Sequence, residues 1–558
     1  MKLTYIIFSG TIAFAAACIW FYNQALSPED MIQRIEDITY PTEPSIIDDE
    51  KKLTISFLGN PLYPGGKEGG FSETHLEELF NLDLKPVVLD YKAYEQRKPL
   101  MFSSGQISDV IVEIDPIYLQ KDAHHGFLCP VPIRWIKKYA PTFTAQINKY
   151  SPEAWLCTDY NGKNYGLPIM FGGGKNPWIS MWRKDWLKNV AISKTPDTLD
   201  EYYIALKKFR NDDPDKNGVK DTYGMSGNGS EWSMFFLEIF GAYGVTPFDW
   251  IGKNGAIEYG GLQDETIEAL ELLRKWYKEG LIDPEFVTDG QAKGQQIGSK
   301  FLGSQIGYIN SLNKYLLYGS VFDTEKNPQC LVNLIKQRNP KAIITPGISP
   351  IGPKGKRGVR VWGRAKGGFA FGKHLRDQPE KIIRILKMLE TVTKDIDLYS
   401  KINTGLEGVH WEYYNLEENA KKTNKYDWDS RPIPPFDNLK VRKRQLLGNF
   451  FMTSAHNPDY NYQMNSKDSR DFMDKYLKPE WGLSSPIGKP DIVHSSSKYM
   501  TDLRNFQLTF FIEIIIGDRP LSDFESFKSE WLRRGGQILL DEANEMHKRL
   551  ATIHAELK

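Results

Sequence analysis

Leu53-Thr-Ile-Ser-Phe-Leu58 has the alternating apolar residues of a β-strand, and Gly59-Asn60 ends it. Ser72 to Leu82 follows as a predicted helix with Ser72 as its cap. Val87-Val-Leu-Asp-Tyr91 is a second predicted strand, and Ser108-Asp-Val-Ile-Val112 is a third. The chain therefore opens as β-α-β-α-β, which predicts a mainly parallel sheet covered by helices. Ligands of such sheets bind at the carboxyl ends of the strands.

Length and charge restrict the class of protein. The chain has 558 residues, of which 41% are hydrophobic and 25% charged, so we expect a large globular protein with two or more lobes. The 71 basic and 71 acidic residues cancel, and we therefore expect no nucleic acid partner. The four cysteines and nine histidines show no metal-ligand spacing. At most, Cys129 and Cys157 form a disulfide.

The N-terminal segment predicts export. Lys2 precedes an apolar run that ends at Tyr22, so residues 1–22 are a predicted signal peptide or membrane anchor. Ala15-Ala-Ala-Cys18 is similar to a bacterial lipobox, in which the cysteine is lipidated and becomes the mature N-terminus. The apolar run continues past Cys18 and reaches the length of about 20 residues that spans a bilayer. A lipoprotein and an uncleaved signal anchor are therefore both open, and a freely soluble exported form is the third alternative.

The loop Asp213-Pro-Asp-Lys-Asn-Gly-Val-Lys-Asp221 carries oxygen side chains at alternate positions around one glycine. This is the pattern of the first half of an EF-hand loop, and it predicts a structural Ca²⁺ ion. The twelfth position, where an EF-hand has its bidentate glutamate, is Gly224, which argues against a calcium sensor. A solvated turn is the alternative. The predicted ligands are Asp213, Asp215, Asn217, the carbonyl of Val219, Asp221 and, as the nearest further oxygen, Thr222.

A capping box leads into this loop. Thr198 stands three residues before Glu201, and the predicted helix runs from there to Arg210. The ion would then hold a long loop in place and would not activate a water molecule. Periodicity assigns three tryptophans in helical patterns to the core, namely Trp182, Trp186 and Trp276.

Several motifs, in a shared order, resemble bacterial extracellular solute-binding proteins of the family 1 type. The resemblance is strongest to the large lipoprotein branch that includes alginate-binding proteins. It covers most of the chain, and no single motif would be convincing alone. The motifs are Asn161-Gly-Lys-Asn-Tyr-Gly-Leu-Pro168, Trp182-Arg-Lys-Asp-Trp-Leu187, Thr195-Pro-Asp-Thr-Leu-Asp-Glu-Tyr202, the segment from Ala269 to Phe286, and Thr404-Gly-Leu-Glu-Gly-Val-His-Trp411.

The resemblance implies an α/β protein with the type II periplasmic-binding-protein fold, in which two α/β lobes joined by a hinge hold a ligand in an interlobe cleft. It implies the solute-binding component of an ABC importer, which captures an oligosaccharide by hinge closure and delivers it to transmembrane permease subunits. Such a protein is a monomer without enzymatic activity. It is exported and attached to the membrane by a lipid or an anchor helix, facing the periplasm or the cell exterior.

The expected lobes follow from the motifs. Residues 23–51 have the composition of a linker. The first lobe is expected to comprise residues 52–168 with about 355–405. The second lobe comprises residues 169–354 with about 406–558 and carries the calcium-like loop.

Sugar chemistry selects the candidate ligand residues. A sugar presents an apolar C–H face and a rim of hydroxyls, so a saccharide site combines flat aromatic rings with polar side chains. Aromatic residues make up 13% of the chain, and those beside glycine or polar loops are the better candidates. Packing is the alternative for each of them, and Glu407 with His410 could instead hold a loop. The candidates are Trp178, Trp232, Trp250, Tyr308, Asn310, Trp362, Glu407, His410 and Trp411.

Two other functions remain open from sequence. A secreted, calcium-stabilised glycan-degrading enzyme would also be large and rich in aromatic residues. It would need two carboxylates across a glycosidic bond, and no motif pairs them here. An anchored glycan-capture protein that is not coupled to transport is the other alternative.

Overall fold

The computed structural model describes residues 39–59, 69–87, 89, 91–171, 174–288, 295–312, 331–447, 457–465 and 467–558. The predicted export segment 1–22, including Cys18, lies outside these described residues, as does the first part of the linker. Among the helices in the described ranges, none combines the length and the apolar character needed to cross a membrane.

The strands in the described residues are β1 Leu53–Leu58, β2 Leu82–Val87, β3 Val110–Glu113, β4 Asp159–Tyr160, β5 Lys163–Asn164, β6 Gly166–Met170, β7 Ile179–Arg183, β8 Trp250–Lys253, β9 Ala256–Tyr259, β10 Tyr308–Leu312, β11 Ile344–Gly347, β12 Val359–Arg360, β13 Ala365–Phe371, β14 Trp411–Tyr413, β15 Ser430–Pro432 and β16 Gly482–Leu483. The helices are α1 Phe71–Phe80, α2 Tyr91–Ser103, α3 Pro116–His124, α4 Ile133–Tyr139, α5 Pro141–Tyr150, α6 Lys184–Asn189, α7 Leu199–Asn211, α8 Leu237–Ala242, α9 Asp264–Lys278, α10 Gln295–Leu302, α11 Leu331–Arg338, α12 Pro379–Lys394, α13 Ile396–Thr404, α14 Leu416–Asn419, α15 Leu439–Arg444, α16 Pro458–Gln463, α17 Lys467–Tyr476, α18 Ser496–Ile516, α19 Phe524–Trp531 and α20 Gln537–Leu557.

The chain divides into two compact units. Unit 1 comprises the residues up to Gly172, Arg364–Asn465 and Arg549–Lys558. Unit 2 comprises Gly173–Gly363 and Ser466–Lys548. Residues 406–465 and 549–558, which the sequence analysis places in the second lobe, group here with unit 1.

Side-chain contacts explain this grouping. The Tyr399 hydroxyl donates to Oδ1 of Asn461 at 2.9 Å, which ties the segment around α16 to α13 of unit 1. Arg549 donates to the Asp159 carboxylate at 2.7 Å and so attaches the end of α20 to the same unit. Both partners lie far apart in sequence, and for this reason the local patterns did not reveal the contacts.

Unit 1 is built on a five-stranded sheet with the strand order β2-β1-β3-β13-β6. β1 is parallel to β2 and β3, whereas β13 is antiparallel to β3 and β6. The predicted β-α-β-α-β opening is confirmed, but its second strand is Leu82–Val87 and not Val87–Tyr91. Pro86 is tolerated in that strand because β2 lies at the edge of the sheet.

The linker and the cysteines also differ from expectation. Part of the predicted linker packs on unit 1, where Arg384 donates to the carbonyl of Asp48 at 2.7 Å. Cys129 and Cys157 are buried thiols, and they do not form the predicted disulfide here. Burial raises the pKa of the Cys129 thiol to about 12.

Unit 2 contains a three-stranded antiparallel sheet with the order β10-β7-β11. Thr198 is confirmed as the N-cap of α7, since its Oγ1 accepts from the Glu201 N–H at 3.2 Å. The reciprocal bond differs from a capping box, because the Glu201 carboxylate accepts from the Asp197 N–H at 2.8 Å. The three tryptophans assigned to the core are fully buried: Trp182, Trp186 and Trp276. The C-terminal segment forms α19 and α20, with a break at Gly535 between them.

Candidate functional site

The predicted ligand residues fall into both units. Trp178, Trp232, Trp250, Tyr308, Asn310 and Trp362 belong to unit 2, whereas Glu407, His410 and Trp411 belong to unit 1. The structure connects two residues of the first group through an arginine, and it gathers the three residues of the second group around one pocket.

Trp232, Trp362, Arg360 and Arg504 form a cluster in unit 2 that we call the indole surface. The guanidinium carbon of Arg360 lies 4.6 Å from the ring centre of Trp362 and 4.9 Å from that of Trp232. Arg504 lies 3.9 Å above the Trp232 ring. Trp362 is 49% exposed and Trp232 is half-buried. An open indole held by a cation provides the flat apolar face on which a sugar ring packs.

Two carboxylates hold the arginines of the indole surface: Asp249, which is buried, and Asp491, which is 38% exposed. Nε and Nη2 of Arg360 donate to the two oxygens of Asp249 at 2.6 and 3.2 Å, and both side chains are almost completely buried. Arg504 forms an ion pair with Asp491 at 2.6 Å. The bidentate contact between Arg360 and Asp249 fixes the guanidinium plane as well as neutralising its charge, whereas the single contact of Arg504 with Asp491 does not fix a plane.

The backbone places Arg360 from β12, which pairs in parallel with β16. α8 packs closely on β12, because a Cβ atom at Gly241 would lie only 1.9 Å from the Gly358 carbonyl oxygen. Sequence reasoning missed the two arginines and their acids. Arg360 could have been found, since it precedes Trp362 by two residues in an extended segment and residues so spaced share a face.

The other candidates of unit 2 lie deeper. Trp250 and Tyr308 have almost no exposed surface, which favours packing for both. The Tyr308 hydroxyl lies 3.1 Å from Oγ of Ser180, and Nδ2 of Asn310 donates to the same oxygen at 2.8 Å. Trp178 is half-buried and precedes Ser180 by two residues.

A pocket of about 1000 Å³ lies within unit 1 beside residues 405–411, and we call it the loop pocket. Three aromatic rings on its wall meet edge to face, with centres 4.8 Å apart for Trp411 and Tyr413 and 5.0 Å apart for Tyr413 and Trp428. Lys401 and Arg442 also line the pocket, and neither has a salt bridge to the part of the chain that the structure describes. The pocket therefore combines aromatic rings with two cations that have no salt bridge among the described residues, and the Glu407 carboxylate belongs to the same lining.

Within this pocket, His410 supports the loop. Its Nδ1 atom accepts from the Leu406 N–H at 3.0 Å, and its ring lies 4.7 Å from Phe71. Burial lowers the pKa of His410 and so favours the neutral ring, whose Nδ1 atom can accept a hydrogen bond. Glu407 is exposed, and the Trp411 indole N–H donates to the carbonyl of Gly405 at 3.1 Å.

The calcium-like loop is closed by its own side chains. Asp213 accepts from the Asn217 and Gly218 N–H groups at 3.1 and 2.9 Å. The Asn217 amide donates to Asp215 at 3.1 Å and to Asp221 at 3.3 Å. Gly218 has φ of 85°, the left-handed conformation that the sharp turn requires. In the described ranges, no three His, Cys, Asp or Glu side chains converge as a metal site.

Other observations decide which of these oxygens fit a cation. Oδ1 of Asp215 is buried and has no hydrogen-bond partner among the described residues. Burial and then the neighbouring Asp213 raise the pKa of Asp215. The Thr222 hydroxyl, in contrast, donates to the carbonyl of Phe209 at 2.6 Å and points away from the loop. The donor types fit calcium without Thr222.

No protein-family model matches the chain. The polygalacturonan/rhamnogalacturonan-binding protein YtcQ of Bacillus subtilis is 27% identical over 66% of this chain and 67% of its own length. Lipoprotein LipO of the same bacterium is 24% identical over 85% of this chain and 88% of its own length. The fructooligosaccharide ABC transporter substrate-binding protein FusA of Streptococcus pneumoniae is 27% identical over 50% of this chain and 52% of its own length.

Solved structures show the same fold. The alginate-binding protein AlgQ2, solved without calcium ion, has a TM-score of 0.56 and 18% identity, covering 91% of this chain and 100% of that chain. An HMO-binding, ABC-transporter-associated solute-binding protein of Bifidobacterium longum infantis has a TM-score of 0.62 and 15% identity, covering 89% and 99%. The α/β, type II solute-binding fold is thus confirmed. The resemblance to bacterial extracellular solute-binding proteins is confirmed by the curated relatives, which are binding proteins and lipoproteins.

Proposed function

We propose that this chain is the extracellular solute-binding component of an ABC importer and that it captures an oligosaccharide. The indole surface carries the proposal, because Trp362 is 49% exposed and its ring rests on the guanidinium group of Arg360. An indole that is exposed to solvent and also held by a guanidinium group is suited to stacking on a sugar ring. Similarity to YtcQ and FusA, both named for carbohydrate binding, supports the same class of ligand.

The ligand we favour is an acidic oligosaccharide. Lys401 and Arg442 line the loop pocket without a salt bridge to any described residue, and unpaired cations beside aromatic rings suit carboxylate-bearing sugars. The name of YtcQ points to galacturonate polymers. Trigalacturonic acid is therefore the first probe, with kestose and lacto-N-tetraose as neutral probes.

Calorimetric titration of the protein from Asn23 onward, which keeps the linker that packs on unit 1, tests the proposal. Trigalacturonic acid should bind the wild type and raise its thermal midpoint, because a ligand that binds only the folded state stabilises it. Trp362→Ala should weaken binding about tenfold or more. Tyr203→Ala is the matched control, since its ring packs on the Lys275 ammonium at 4.4 Å in the same unit but outside the indole surface.

Three results would contradict the proposal. Absence of binding for all three probes would remove the saccharide ligand. Cleavage of a probe, detected by chromatography of the titrated mixture, would favour the glycan-degrading enzyme. Equal affinities of Trp362→Ala and the wild type would remove the indole surface from the site.

We extend the proposal to location and partners. The protein would be exported, held at the membrane by its N-terminal segment, and would deliver its ligand to transmembrane permease subunits. The relatives named as a lipoprotein and as an ABC transporter substrate-binding protein support this. Fractionation of cells that express Cys18→Ala decides between the anchors: loss of the membrane-bound form indicates a lipoprotein, and an unchanged membrane fraction indicates an anchor helix. Closure of the lobes on the sugar stays a prediction.

A structural calcium ion is the remaining part of the proposal. Asp213, Asp215, Asn217 and Asp221 would hold it through side-chain oxygens, and Val219 through its carbonyl. The alternating spacing and the unpartnered Oδ1 atom of Asp215 support this assignment. A bound ion would neutralise the crowded carboxylates and hold the loop after α7.

A further inference from the structure

We propose that Asp249 is a positioning residue for saccharide binding, because it fixes Arg360 between the two indoles of the indole surface. The inference rests on the proposed function and extends it to a residue that touches no sugar. Asp249 is 1% exposed, so its carboxylate is out of reach of a ligand. Its effect must therefore pass through the guanidinium group.

Two hydrogen bonds define the plane of that guanidinium group. Nε and Nη2 of Arg360 donate to different oxygens of Asp249, at 2.6 and 3.2 Å. Two parallel hydrogen bonds make the guanidinium group coplanar with the carboxylate and remove its rotational freedom. The orientation of Arg360 is thus set by Asp249.

The carboxylate itself is held by its backbone. The Asp249 N–H donates to the carbonyl of Thr246 at 3.2 Å, and the Asp249 carbonyl accepts from the Gly260 N–H at 3.0 Å. Strand β8 begins at the next residue and pairs with β9. Asp249 therefore lies at a rigid position where the chain enters a hairpin.

The guanidinium group then sets the indoles. Arg360 lies 4.6 Å from the ring centre of Trp362 and 4.9 Å from that of Trp232, so one planar group contacts both rings. The rest of the Trp362 ring is exposed to solvent, which does not restrain its orientation as Arg360 does. If Arg360 turned, the separation and tilt of the two rings would change, and a sugar that stacks on them would lose contact.

Two variants test this directly, with trigalacturonic acid as the probe. Asp249→Asn removes the charge and one acceptor, whereas Arg360→Lys keeps the charge but loses the planar fork. Both should weaken binding about tenfold or more. Because Asp249 acts through the indoles, the effects of Asp249→Asn and Trp362→Ala should not add, and the double variant should lose less affinity than the product of the two separate fold-changes.

The matched control is Asp185→Asn in the same unit. Asp185 also binds an arginine with both oxygens, and that arginine, Arg183, lies 4.7 Å from the ring of the buried Trp186. This variant should lower the thermal midpoint and leave the affinity for trigalacturonic acid unchanged. A loss of affinity in both Asp variants would indicate general destabilisation and would overturn the proposal.

A measurement without sugar separates this inference from the proposed function. The difference in acrylamide quenching between the wild type and Trp362→Ala reports on the Trp362 ring, and Asp249→Asn should change that difference. If no probe binds the wild type, the proposed function fails, and the quenching result still decides the positioning role. If Asp249→Asn does not fold, the pair Arg360→Met with Asp249→Leu replaces the ion pair by apolar side chains of similar volume. Wild-type quenching and affinity in any folded variant would overturn the proposal.

Discussion

Unit 2 contains two clusters that each combine an arginine, an aspartate and a tryptophan, and the two clusters differ in the exposure of the indole. Arg183 donates to both oxygens of Asp185 and lies 4.7 Å from the Trp186 ring, and this indole is fully buried. Arg360 donates to both oxygens of Asp249 and lies 4.6 Å from the Trp362 ring, which is 49% exposed. We call these the buried cluster and the open cluster.

The two clusters differ in the exposure of the indole, so an arginine–indole contact does not by itself identify a binding site. In the buried cluster the indole also packs on Phe209 of α7, with ring centres 5.5 Å apart, so its surface is used by the core. In the open cluster Trp362 has no such aromatic partner among the described residues, and it is 49% exposed. We therefore expect the buried cluster to determine stability and the open cluster to determine affinity.

The largest expected difference between the clusters is the loss of stability when the indole of each is removed. Trp186→Ala should lower the free energy of unfolding by about 3–5 kcal/mol, because it leaves a cavity among fully buried side chains. Trp362→Ala should change it by about 0.5 kcal/mol or less, since it removes an exposed ring. Urea unfolding of both variants measures the two values.

Saccharide titration of the same two proteins supplies the opposite ranking. Trp362→Ala should lose affinity, while Trp186→Ala, studied well below its unfolding midpoint, should keep it. Equal effects of both variants on stability and affinity would contradict the division into a buried and an open cluster.

The buried carboxyl group of Glu238 should make the stability of the protein depend on pH. Burial raises the pKa of Glu238 from 4.5 to about 7, although a hydrogen bond with Tyr308 lowers it. The Tyr308 ring centre lies 4.5 Å from that of Trp182. A raised folded-state pKa means that the folded protein holds the proton more tightly. The stabilisation is therefore complete below about pH 4.5 and is lost as the pH rises through about 7.

Glu238→Gln should remove this contribution. Between pH 5 and 6.5 the stability of the wild type should fall more steeply with pH than that of the variant, by up to about 1.4 kcal/mol per pH unit. Denaturant unfolding at several pH values measures the slopes. Glu113, whose pKa burial also raises to about 7, contributes a slope of the same sign in both proteins. Identical slopes would assign the titration to groups other than Glu238.

Calcium should act on the buried cluster too. The loop 213–222 is connected to α7 through the Thr222 hydroxyl, which donates to the carbonyl of Phe209, and Phe209 packs on Trp186. Chelation should therefore lower the free energy of unfolding, by about 2.7 kcal/mol if the free ion was at 100 times its Kd. Affinity for the saccharide, measured with and without chelator, should be unchanged. Asp215→Asn should abolish the effect of the chelator, and a chelator effect that survives in this variant would remove the loop as the calcium site.

The two clusters also show which parts of the structure could be predicted from the sequence. The buried cluster lies within Trp182-Arg-Lys-Asp-Trp-Leu187, where periodicity placed both tryptophans in the core and the family motif was recognised. The open cluster joins Arg360 to Asp249 across 111 residues, and no local pattern indicates such a contact. Trp232 and Trp362 were selected for their polar neighbours, but Trp250 was selected on the same grounds and is fully buried. Burial depends on the packing of distant segments, so composition around a residue predicts it poorly.

The smallest expected effect comes from the cap of α7, the helix that supplies Phe209 to the buried cluster. Oγ1 of Thr198 accepts from the Glu201 N–H at 3.2 Å, and the Glu201 carboxylate accepts from the Asp197 N–H at 2.8 Å. Thr198→Ala leaves a helix N–H without its partner and should cost about 1 kcal/mol in urea unfolding, whereas Thr198→Ser should cost less because it keeps the oxygen. Neither variant should alter saccharide affinity, because the cap supports only the buried cluster. A cap variant that weakened binding as much as it weakened stability would show that the two clusters are coupled through α7.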